Sequence, residues 1–114
     1  MRELGTIGER LAMEYLKAQG YKILEKNYRC SVGEVDIIAQ DQDTIVFVEV
    51  KTRRNTFIAT PYESVGKHKQ KKILEVAQCY LEEKDLVNHE IRFDVLSIVM
   101  RGATHQIEHL REAF

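Results

Sequence analysis

At 114 residues the chain has room for one domain, residues 1–114, and not for two ordinary ones. Apolar residues make up 44% and charged residues 31%, the composition of a globular chain rather than a disordered one, and no apolar run approaches the roughly 18 residues of a membrane span. The net charge of −1 argues against a nucleic-acid partner until its distribution is read. Between Lys51 and Lys72 stand seven basic residues (Lys51, Arg53, Arg54, Lys67, Lys69, Lys71, Lys72) against one acid, Glu63. Such a cluster makes a local attractive field that the total conceals.

The start, Met1-Arg2-Glu3-Leu4-Gly5, lacks the apolar core of a signal peptide. Cys30 and Cys79 have no CxxC spacing and fall inside predicted elements, so they read as reduced thiols of a cytoplasmic protein. Ile7, Leu11, Tyr15 and Ala18 recur at helical spacing and predict a first helix from about Thr6 to Gln19, with Gly20 ending it. Tyr21 to Arg29 reads as an edge or half-exposed strand, punctuated by Gly33. Two β-rich segments follow, Glu34 to Ala39 and Ile45 to Lys51, joined as a hairpin by Asp41-Gln42-Asp43-Thr44. After a loop, Thr60-Pro61-Tyr62-Glu63 has the form of a capping box with proline at the first helical position. Gly66 ends or kinks that turn, and a long helix is predicted from about His68 to Glu83. Ile91 to Met100 is a strong strand, Arg101-Gly102 a turn, and Gln106 to Leu110 a closing strand. The order α-β-β-β-α-β-β predicts an α/β domain with a mixed sheet, its fourth strand returned parallel to the third by the crossover helix.

Alternation places Ile45, Phe47, Glu49 and Lys51 on one face of the third strand and Val46, Val48 and Val50 on the other. If the hairpin closes symmetrically, Gln40 faces Ile45, Asp36 faces Glu49 and Glu34 faces Lys51; a bulge would shift that register. Two like charges opposite one another on a sheet face destabilise it, and burial beside valine and isoleucine deepens the cost. A divalent cation between Asp36 and Glu49 removes the penalty. Hard ions such as Mg²⁺ take oxygen ligands and keep waters that a phosphate can replace. Lys51, on the same face, could orient water or stabilise charge on the phosphate. The Glu-x-Lys triplet alone says little, since Glu82-Glu83-Lys84 at a helix end matches it too. The competing reading is two outward carboxylates with Glu34–Lys51 an ordinary cross-strand pair.

The segment Gly33-Glu34-Val35-Asp36-Ile37-Ile38-Ala39 followed by Phe47-Val48-Glu49-Val50-Lys51-Thr52-Arg53 resembles the signature of the YraN-like family of uncharacterised bacterial proteins, within the PD-(D/E)xK restriction-endonuclease-like superfamily. The likeness extends through Gly8-Glu9, Gly20-Tyr21, Asn27-Tyr28-Arg29, Lys69-Gln70, Arg92-Phe93-Asp94-Val95 and Ile107-Glu108-His109. The chain also resembles archaeal Holliday-junction resolvases. The resemblance implies a restriction-endonuclease-like fold, metal binding by Asp36 and Glu49 with the Val50 carbonyl, and a catalytic Lys51. Glu9 matches the extra acidic ligand of the resolvase-like branch, and Gln70 a glutamine that helps organise the site. The superfamily's nominal proline before the aspartate is replaced by Val35.

On their own, Glu9 is a solvated helix glutamate and Gln70 an exposed helix residue. Arg29, Arg53, Arg54, Lys67, Lys69, Lys71 and Lys72 are candidates for phosphate contacts, although each alone reads as a surface charge. Tyr28 packs, Asp94 takes a structural partner on a neighbouring element, and His105 and His109, spaced for zinc only on a helix, form no zinc site. The expected function is Mg²⁺- or Mn²⁺-dependent phosphodiester hydrolysis on DNA, with branched or damaged DNA suggested by the resolvase likeness alone. A homodimer would supply the two sites that cutting both strands needs. The alternatives are a non-catalytic nucleic-acid-binding module with the same fold, and a protein-interaction adaptor using the exposed sheet edge or the last helix.

Overall fold

The computed structural model describes residues 2–54 and 66–114. Helix α1 spans Arg2–Ala18, strands β1 Lys22–Cys30, β2 Gly33–Asp41 and β3 Thr44–Arg54, helix α2 Lys67–Glu83, and strands β4 Glu90–Arg101 and β5 Thr104–Leu110. This is the α/β order predicted from sequence. The Thr60–Glu63 capping box lies outside the described residues.

The five strands lie in chain order, β1-β2-β3-β4-β5. All neighbours are antiparallel except β3 and β4, which run parallel over the full length of β3. That one parallel pair is where α2 makes its crossover. Alternating apolar residues supply both faces of the sheet. Ile37, Ala39, Val46, Val48, Leu96 and Ile98 pack with Ala12 and Leu16 of α1. Ile38, Ile45, Phe47, Phe93 and Val95 pack with Ile73, Val76, Ala77 and Tyr80 of α2. The sheet is thus the middle of three layers, and the central strands are buried on both sides. Among the described residues no helix is long and apolar enough to cross a membrane.

Turn chemistry fixes the registers. Gly20 takes φ +94, its N–H bonds the Lys17 carbonyl, and the Tyr21 N–H reaches back to Leu16. These paired bonds form a Schellman stop, which requires the left-handed conformation glycine adopts at little cost. The β2–β3 turn is tighter than the four-residue loop predicted: Asp41 already pairs with Thr44, leaving Gln42 and Asp43 as the turn. The register is the predicted one, with Gln40 against Ile45.

One irregularity matters for the site. Val35 packs with Ile38 against α2, whereas Ile37 packs against α1. The two-residue alternation therefore slips at Asp36. Across from it on β1, Asn27 holds φ 52, a left-handed conformation that asparagine tolerates better than most residues, and the pairing skips from Lys26↔Ile37 to Tyr28↔Val35. On the other flank, the β2–β3 ladder stops at Ile37↔Val48. Asp36 and Glu49 come one step later, where the two strands begin to part.

Candidate metal and phosphate site

The Asp36 carboxylate fills the gap where the ladder stops. Its Oδ2 accepts the Val50 N–H at 2.8 Å, so a side chain replaces the missing strand partner. Glu49 follows Phe47 on the α2 side of β3 and is buried, at 4% exposure. The two carboxyls lie close enough to share a hydrogen bond. Burial pushes Asp36 up to about 7, and the charge of Glu49 adds to the rise. The Val50 N–H opposes the shift, while the Glu9 charge and the hydrogen bond to Glu49 reinforce it. A shared hydrogen bond between two carboxyls requires a proton on one of them, which lets the two acids lie side by side.

Glu9 comes from α1, on the opposite side of the sheet from α2. It is brought near by a close approach at its neighbour: a Cβ on Gly8 would lie 1.8 Å from the Thr52 hydroxyl oxygen. Only glycine lets the α1 backbone lie this close to the end of β3. Among the described residues no three His, Cys, Asp or Glu side chains are gathered as a metal-ligand set. The donors at hand are the carboxylates of Asp36 and Glu49, with Glu9 reaching them as a charge. Two hard oxygen donors of like charge fit a divalent ion that keeps several of its waters.

Lys51 lies two residues beyond Glu49 on β3, half-buried and in register with Ser97 of β4. Glu34, expected opposite Lys51, instead pairs with Arg29 at 2.8 Å. That corrects the cross-strand pairing of Glu34 with Lys51, because the β2–β3 ladder has already ended. The Arg29 side chain stays 76% exposed in that pair.

A contact that the sequence did not show involves Lys69, one of the candidates for phosphate contacts. Its Nζ lies 2.7 Å from Glu49 Oε2. The hydrogen bond to Glu49 raises Lys69 above its usual range against partial burial, and the charges of Glu49, Asp36 and Glu34 act in the same direction. Nothing in the spacing of Lys67-His68-Lys69-Gln70 announces that contact, which joins α2 to β3 through the tertiary fold. Gln70 is half-buried in the same turn; Lys67, Lys71 and Lys72 are exposed along α2, Arg53 is half-buried and Arg54 exposed at the end of β3.

Asp94, 0% exposed, shows the opposite treatment of a buried acid. Arg92 donates to both of its oxygens at 2.9 and 3.0 Å, His109 Nε2 lies 2.7 Å away, and the Glu112 N–H adds a bond at 3.2 Å. Burial would push Asp94 up, but the bonds from His109, Arg92 and Glu112 outweigh it and hold the acid below its usual range. With Nε2 donating, His109 Nδ1 accepts from the Tyr15 hydroxyl at 3.2 Å. Arg92 also reaches Asp41 and Tyr21. Asp94 therefore has the neighbouring-strand partner expected of it, and every polar group in the network is matched. By contrast, Asp36 is held by the Val50 N–H and Glu49 by the half-exposed Lys69.

These features define an α/β protein with a three-layer fold and a carboxylate pair, Glu49 buried and Asp36 half-buried, at the parting of β2 and β3. The family model described as "Uncharacterised protein family UPF0102" matches residues 8–98, and the chain belongs to that family. It is 49% identical to a UPF0102 protein of Geotalea uraniireducens, over 99% of this chain and 90% of the relative. Against UPF0102 proteins of Clostridioides difficile and Syntrophus aciditrophicus the identities are 47% and 46%, over 99% and 96% of this chain and 97% and 87% of those relatives. Among solved structures, the crystal structure of SSO0001 aligns with 96% of this chain and 51% of its own at 19% identity and a TM-score of 0.40.

Proposed function

We propose that the protein is a metal-dependent nuclease of the PD-(D/E)xK type that hydrolyses phosphodiester bonds in DNA. The observation that carries this reading is the Asp36–Glu49 pair, a buried glutamate beside a half-buried aspartate, which is apt for a divalent cation although Lys69 already balances one of the two charges. Mg²⁺ or Mn²⁺, when bound, would polarise a phosphoryl oxygen and lower the pKa of water. Asp36 and Glu49 would hold the ion, and the Val50 N–H fixes the Asp36 carboxylate for that task. Lys51, two residues beyond Glu49 on β3, would offset the negative charge that builds on a phosphate under attack. Lys67, Lys71, Lys72 and Arg54 would carry the DNA backbone, contacts that position a duplex without reading its sequence. Glu9 adds negative charge that favours the ion, and Gln70 belongs to the turn facing it.

Purified protein incubated with linear, four-way, nicked and single-stranded DNA, with RNA in parallel, tests this reading. With Mg²⁺ or Mn²⁺ we expect cleavage of at least one DNA substrate, its loss in EDTA, and its loss in Glu49→Gln. Salt-sensitive binding without cleavage for every substrate and metal would instead identify a nucleic-acid-binding module on the same fold.

A further inference from the structure

Lys69 and Glu49 are unequally buried: the lysine side chain is 52% exposed and the glutamate 5%. The anion is fixed in the protein, while the cation reaches it from the solvent side and can swing away without unpacking the core. Its place on α2 is also poor for a cation. The first turn of α2 holds no acidic residue, and Lys67 and Lys69 stand in it, at the end of the helix where the backbone dipole disfavours positive charge. Glu49 compensates Lys69 for that position. An arriving phosphate would compensate it equally well.

We propose that Lys69 is a resident counter-cation of Glu49, displaced when a divalent ion binds the Asp36–Glu49 pair. This inference rests on the metal reading given above and adds a built-in competitor to it. The ammonium hydrogen-bonds Glu49 Oε2 directly, so an ion bridging both carboxylates would meet a like charge at contact distance. The two cations exclude one another, and ion uptake and lysine release become one exchange. Linkage then requires that whatever Lys69 adds to the ion-free state be subtracted from ion affinity. Once released, Lys69 joins the exposed lysines of α2 that face a DNA backbone. The site is thereby latched without metal, and it gains a phosphate-binding cation when the metal enters.

The test is a Mn²⁺ titration followed by the paramagnetic resonance signal of the free ion, on wild type, Lys69→Met, Lys69→Arg and Lys71→Met, each first shown to be folded by thermal unfolding. For the strength of a half-exposed pair, Lys69→Met should bind Mn²⁺ about three- to tenfold more tightly. Lys69→Arg should stay within about twofold of wild type, and so should Lys71→Met, which removes the same charge from an exposed position on the helix. If Lys69→Met does not fold, Lys69→Gln takes its place. Equal tightening in Lys69→Met and Lys71→Met would overturn the exchange in favour of a general field effect, and weaker binding in Lys69→Met would make the lysine a support of the ion site. Absence of Mn²⁺ binding in every protein, wild type included, would overturn the metal reading itself and the exchange with it.

Discussion

Lys51→Ala is expected to lower DNA cleavage by about a hundredfold to a thousandfold, the usual loss when a charge-stabilising donor is removed, while DNA binding weakens only a few-fold. Lys51 is one of seven basic residues between positions 51 and 72, so its share of the binding field is small. On the nuclease reading, its place on β3 two residues beyond Glu49 would give it a share in the chemistry. The converse variant is Lys71→Ala with Lys72→Ala, both exposed on α2. It should weaken binding and reduce the salt dependence by about 0.9 for each phosphate no longer neutralised. Lys69 is unsuitable as that control, because its removal also frees Glu49. Single-turnover cleavage alongside equilibrium binding separates the two effects. Similar small reductions of cleavage in both variants would reduce Lys51 to a surface cation.

Asp36→Asn should make the metal-free protein more stable at pH 8 and leave it nearly unchanged at pH 4. Asp36 titrates at 3.8 in the unfolded chain and is pushed up to about 7 in the folded one by burial and by Glu49. Below pH 3.8 both states hold the proton, and the group contributes its full share of stability. Between pH 4 and 7 the folded state binds more protons than the unfolded, so stability falls as the pH rises. Above about 7 both states are ionised, and the folded protein carries a penalty of a few kcal/mol. Asparagine mimics the protonated acid: its carbonyl oxygen can accept the Val50 N–H, and its amide can donate to Glu49. Urea unfolding of both proteins from pH 4 to 8 should show their difference growing with pH, and saturating divalent metal should restore the wild type by mass action. Parallel pH curves would show that Asp36 does not carry this shift.

The sheet was largely readable because two-residue alternation and turn residues are local signals. Ile45, Phe47 and Glu49 declared one face of β3, Val46 and Val48 the other, and the polar Asp41–Thr44 tetrad fixed the hairpin register that runs to Ile37 and Val48, one step short of Asp36 and Glu49. What alternation could not show was the slip at Asp36, which lies across from Asn27, a residue in the left-handed conformation on another strand. Helix ends were read less closely. The apolar spacing that marks α1 begins at Ile7, yet the helix starts at Arg2, since polar first turns carry no periodicity. The Lys69–Glu49 contact was illegible for a stronger reason. A lysine beside three others on one helix has the same sequence appearance whether it faces water or a carboxylate 2.7 Å away. The family signature supplied Glu9 and Gln70, which composition and spacing alone would have left as surface residues.

Calorimetric titration of Mn²⁺ into the wild type and into the double variant Asp36→Asn/Glu49→Gln tests the central claim most directly. Both substitutions preserve shape and hydrogen bonding while removing the two negative charges. Binding that saturates in the wild type and disappears in the double variant is the expected result. Equal binding by the two proteins would place any ion elsewhere and contradict the assignment of Asp36 and Glu49 as the metal-holding pair.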